Sequence, residues 1–67
     1  MTYEDALWIA RFHRRVMDVR PACMISRMAY WRARAVIARH RGHTQGIARA
    51  RRELAPLNRV ALEGVAL

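Results

Sequence analysis

Apolar residues in the stretch Pro21–Gly42, PACMISRMAYWRARAVIARHRG, recur at helical spacing on two sides instead of one. At 100° per residue, Ile25, Ala29, Ala33 and Val36 fall on one side. Met24, Met28, Trp31, Ala35 and Ala38 fall on roughly the opposite side. Arg27, Arg34 and Arg41, spaced by seven, form one stripe between the two, and Arg32 and Arg39 form another. A surface helix normally buries a single apolar stripe. A helix with two is expected to be sandwiched between other elements or to meet a partner.

The segments around it also read as helices. Thr2 followed by Asp5 resembles a capping box, and Glu4 and Asp5 suit a helix N-terminus. Trp8, Ile9, Phe12, Val16 and Val19 then share an arc of about 100° and are expected to face the core. Arg11, Arg14, Arg15 and Asp18 lie on the opposite arc and read as a solvated face. Pro21 disfavours helical geometry at Arg20 and suits the first turn of a new helix. The short connection predicts that the first two helices are close to antiparallel neighbours. Gly42 stands where a C-cap glycine belongs, and Thr44 is placed to cap a third helix. That helix has a thin stripe of Ile47, Ala50 and Leu54, and an Arg49–Glu53 pair one turn apart. Pro56 is expected to break or bend the chain next.

The pattern thus predicts one small all-α domain over residues 1–67. It is a bundle of two main antiparallel helices, about 3–19 and 22–41, with a shorter helix at 45–55. An apolar C-terminal tail, 57–67, is expected to dock on the body or on a partner. No stretch alternates long enough to read as a strand.

A chain of 67 residues buries little of its surface and is marginal without help. Cys23 is its one cysteine, so an internal disulfide is excluded. Cys23 reads as a small buried hydrophobe; the alternative is an intermolecular link or a reactive thiol. The formal net charge is +8, and all thirteen basic residues are arginine against five acids. Such a charge favours an anionic partner, and arginine forks match phosphate and carboxylate. High charge also accompanies disorder, but 54% hydrophobic content argues against that. Arginine interrupts every apolar run before the ~20 residues of a membrane span. The start, Met-Thr-Tyr-Glu-Asp, has no basic region before an apolar block. The expected location is cytoplasmic or within a macromolecular assembly.

Candidate chemistry is sparse. His40, His43, His13 and Cys23 come from separate places without a C-x-x-C, so no metal site is expected. With one serine, no lysine, no carboxylate pair and no glycine-rich phosphate loop, neither an enzyme nor a cofactor is expected. Ile37–Arg52 has the outline of a helix-turn-helix. Arg41 and His43, however, stand where that motif buries apolar residues, and Arg51 where its second helix should be oily. The segment reads instead as two packed helices with a capped turn.

Two surfaces remain. The arginines, Arg27, Arg34 and Arg41 in the central stripe with Arg39, Arg49, Arg51 and Arg52 around the Gly42 turn, are expected to contact nucleic-acid phosphates without reading sequence. The Met24, Met28 and Trp31 face is the alternative, a seat for a larger, acidic protein, with the chain as an accessory subunit or phage-type modulator, or for self-association. Binding to an anionic membrane surface is disfavoured because the second helix interleaves its basic and apolar residues. Far-UV circular dichroism should be dominated by helix, and a strand-rich spectrum would reject this reading.

Overall fold

The computed structural model describes the backbone of residues 1–66 and the side chains of residues 1–63. It is all-helical: α1 spans Tyr3–Val19, α2 Met24–Arg41 and α3 Thr44–Ala66. Among the described residues there is no strand, and no helix is long and apolar enough to cross a membrane. The expectation for the side chains of residues 64–67 lies outside the described residues.

α2 is the middle element. It packs on α1 with one flank and on α3 with the other, and among the described residues the backbones of α1 and α3 do not approach one another. α2 thus lies between two neighbours, but not every residue of its two apolar sides is covered: Ile25 is 79% exposed and Met24 36%. Ser26, Ala33 and Ile37 are buried on one flank and Ala38 on the other.

Each helix end has a physical cause. Thr2 Oγ1 accepts the Asp5 N–H at 3.1 Å and caps α1, with Glu4 and Asp5 against the positive end of the helix dipole. Pro21–Cys23 forms a turn closed by the Cys23 N–H donating to the Arg20 carbonyl at 3.1 Å. α2 consequently begins at Met24, two residues later than its sequence suggests, with Cys23 as N-cap. Gly42 takes the left-handed conformation, φ 66°. There the His43 N–H reaches the Ala38 carbonyl at 2.8 Å, closing the last turn.

Two sequence expectations are corrected. The first is the inward side of α1. Ala6 and Ala10 are buried, Tyr3, Ile9, His13, Val16 and Met17 are half-buried, and Trp8, Phe12 and Val19 are exposed. The helix is rolled so that its smallest side chains meet α2 at Ala33 and Ile37. This roll also engages polar partners. Tyr3 stacks on His40 with ring centroids 4.0 Å apart, Arg41 Nε donates to the Tyr3 hydroxyl at 3.1 Å, and His13 Nδ1 shares a hydrogen bond with Ser26 Oγ at 3.0 Å. Ranking residues by apolar bulk overlooks how closely alanine lets two helices approach.

The second correction concerns the third helix. Pro56 lies inside α3 instead of ending it, so the helix runs on through 57–66. Pro56 is exposed, while Ala50 and Leu57 are buried and Leu54 and Ala61 half-buried. That unbroken inward stripe keeps its helical spacing across the proline. Burial of one continuous face outweighs the single hydrogen bond that proline cannot make.

Ser26 is the one buried polar side chain among the described residues, and its hydroxyl is spoken for by His13. Ser26→Ala should leave that ring nitrogen without its partner and lower the unfolding free energy by about 1 kcal/mol. Urea denaturation of the two proteins measures this, and an unchanged midpoint would remove the bond from the stability of the α1–α2 contact.

Candidate functional site

Because the backbones of α1 and α3 flank α2 without approaching one another, a groove of about 610 Å³ opens along α2. Its arginines come from all three helices: Arg14 from α1, Arg34 and Arg41 from α2, and Arg49 from α3. Tyr30, Trp31 and His43 supply its aromatic surface, and Ile37 and Ala38 its floor.

The seven-residue spacing explains the α2 contribution. Arg34 and Arg41 sit two turns apart, about 10 Å along the axis, on the strip of α2 left open between its two packed flanks. Arg27, earlier in the same stripe, is half-buried and lies outside the groove lining. Arg39, Arg51 and Arg52 are exposed and also lie outside it. Of the arginines that the sequence offers as phosphate contacts, the structure thus brings Arg34, Arg41 and Arg49 together. It adds Arg14 and Tyr30, which sequence reasoning missed. Arg14 belongs to the arc of α1 read as solvated. Only the observed roll of α1 turns it toward the groove.

Three of the four groove arginines have side-chain partners within the fold. Arg49 places its guanidinium carbon 5.3 Å from the centroid of the Trp31 ring, a cation–π contact, in place of the expected pair with Glu53. Trp31 in turn meets Tyr30 edge-on, with centroids 5.0 Å apart. Arg41 is tied to the Tyr3 hydroxyl. Arg14 lies 3.5 Å from Asp18 one turn on. The Tyr30 hydroxyl beside it, and then the Asp18 charge, raise the already high pKa of its guanidinium.

The wall made by α3 depends on a close approach. His43 Nδ1 accepts the Gly46 N–H at 3.1 Å, so His43 caps α3, and Thr44, the residue expected in that role, is its first helical residue. A Cβ on Gly46 would lie 2.7 Å from His43 Nδ1 and 3.0 Å from Ala38 Cβ. Glycine at this position lets α3 lie against α2 and leaves His43 in its capping position.

The Met24, Met28 and Trp31 face is divided. Trp31 lines the groove. Met28 and Trp31 are half-buried within the fold, and Met24 is 36% exposed. Cys23 lies at the N-terminus of α2, where the Ser26 N–H first, then the Ser26 hydroxyl, lower its thiol pKa. Among the described residues no group of three or more His, Cys, Asp or Glu side chains is placed to hold a metal ion. No protein-family model matches this chain, and neither the curated proteins nor the solved structures give a match.

Gly46→Ala tests the wall. The substitution would normally favour a helix by about 1 kcal/mol. Here it should instead destabilise by about 1–3 kcal/mol, the usual range for overpacking, because Ala38 Cβ cannot move away without shifting α2. Thermal melting decides the sign, and a raised melting temperature would mean that α2 and α3 are not this close.

Proposed function

We propose that the chain is a small non-enzymatic binding protein that holds nucleic acid through the arginine groove, without sequence preference, as part of a nucleoprotein assembly. The observation that carries this reading is the convergence of Arg14, Arg34, Arg41 and Arg49 on one groove that also presents Tyr30 and Trp31. Guanidinium groups match phosphate oxygens, and aromatic faces stack on bases of any identity. Both interactions are blind to sequence. The groove's lining is arginine, histidine and aromatic side chains with an apolar floor, a combination suited to phosphate contacts and base stacking.

With this reading goes a finer arrangement, in which each helix runs antiparallel to the next and the apolar segment after Pro56 stays docked along α2. The contacts of Tyr3 with His40 and Arg41, and of His13 with Ser26, support that order for the first two helices. The burial of Leu57 supports it for the third.

The arginines outside the groove have a supporting role in this reading. Arg39, Arg51 and Arg52 are exposed near the same end of α2 and the start of α3 and extend the positive field beyond the groove, which speeds encounter with a polyanion.

Binding should weaken steeply with salt, because each phosphate neutralised releases condensed counterions. Replacing Arg34 and Arg49 together by glutamine should reduce affinity for a random duplex and a random single strand alike. It should also flatten the salt slope by roughly one unit for each phosphate no longer neutralised. Trp31→Ala should weaken the single strand more than the duplex, since only unpaired bases can stack. Fluorescence anisotropy at two salt concentrations measures all three effects. If neither nucleic acid binds at low salt, the charge serves an acidic protein surface instead.

A further inference from the structure

The side of α1 roughly opposite Ala6 and Ala10 is apolar and open. Trp8, Phe12 and Val19 are 66%, 48% and 80% exposed, and the Trp8 and Phe12 rings stack with centroids 5.5 Å apart and planes within 5°. A shallow depression lies beyond the stack toward the helix C-terminus, about 390 Å³, lined by Phe12, Arg15, Val16, Val19 and Arg20. The interior is correspondingly poor. Its buried apolar residues are mostly alanine, and among the described residues no large side chain is fully buried. A chain this small that keeps one of its two tryptophans outside lacks much of the burial on which small domains depend.

We propose that this face is the interface of a two-fold dimer, and that its occupant is α1 of a second copy of this chain, lying antiparallel. Charge selects that occupant. α1 is acidic at its start, Glu4 and Asp5, and basic toward its end, Arg15 and Arg20. Reversing one copy about Phe12 sets Glu4 of each copy opposite Arg20 of the other. The same operation sets Trp8 opposite Val16, so the protruding indole of each copy enters the depression beyond Phe12 on the other. There Arg15 and Arg20 flank it, in reach of a cation–π contact. A two-fold interface must be self-complementary in this sense, with residue i meeting j and j meeting i. α1 is the helix whose charges balance: Glu4, Asp5 and Asp18 match Arg11, Arg14 and Arg15 within Tyr3–Val19, whereas α2 carries five arginines and no acid and α3 four arginines against two acids. Pairing through α1 is therefore the contact that least opposes the +8 charge of each chain. The dimer uses the side of α1 away from the groove along α2, so the groove is free on both copies and the assembly has two of them. The dimer is built from α1 alone, and its test contains no nucleic acid.

Sedimentation equilibrium of the full chain, without nucleic acid, should give a dimer. Trp8→Glu should raise its dissociation constant by at least about thirtyfold, the effect of losing a central aromatic anchor. Arg20→Glu alone should weaken the dimer, and the double exchange Glu4→Arg with Arg20→Glu should restore it. A second readout holds whether or not a charged variant folds. With Cys23→Ser removing the native thiol, Arg11→Cys beside the two-fold axis should be joined by a short bismaleimide, and Arg52→Cys on α3 should not. A monomer at high micromolar concentration, a dimer indifferent to Trp8→Glu, or equal cross-linking at both positions would overturn the proposal. So would a monomer whose Trp8 fluorescence shifts blue on anionic phosphatidylserine vesicles, which would make the face a membrane contact.

Discussion

The fold depends on how closely alanine lets helices approach. Ala6 and Ala10 of α1, Ala33 and Ala38 of α2 and Ala50 of α3 are all buried, and Gly46 stands where a methyl group would collide with His43 Nδ1 and crowd Ala38 Cβ. Small residues where helices meet bring the backbones together and let many weak dispersion attractions accumulate. The same choice leaves little room between the helices for larger side chains, of which Ile37 and Leu57 are the buried ones among the described residues. Bulk is displaced to the flanks, where the aromatic and guanidinium groups line the groove, and to the outer side of α1.

Much of this is legible in the chain itself. The doubled apolar pattern of α2 states that it lies between two neighbours, and the Thr2 and Gly42 signals mark two helix ends because each answers a local demand for hydrogen bonds or for a positive φ. What was illegible is tertiary. The roll of α1 depends on the relative gain from an alanine stripe and an aromatic stripe, and sequence periodicity weighs these in the wrong order because it scores each residue by its own hydrophobicity. Pro56 misleads for a related reason: a local penalty is set against a face of α3 whose continuity appears only when Leu57 and Ala61 are seen on the same line as Ala50.

The candidate site was half legible. Arg34, Arg41 and Arg49 follow from spacing and from the turn at Gly42. Arg14 and Tyr30 follow from neither, since Arg14 joins the groove only through the roll of α1. The sequence places Trp31 on a partner-facing surface with Met24 and Met28. Its position on the wheel lies between the arginine stripe and the methionines, and in the structure it lines the groove with the Arg49 guanidinium over its ring.

That the backbones of the described residues of α1 and α3 do not approach one another has a mechanical meaning. Each packs on α2 by its own contacts, so α1 and α3 are joined only through α2. On the proposed reading, a polyanion reaching both Arg14 and Arg49 would bridge two elements that α2 alone connects, and one too short to reach both would lose that second attachment.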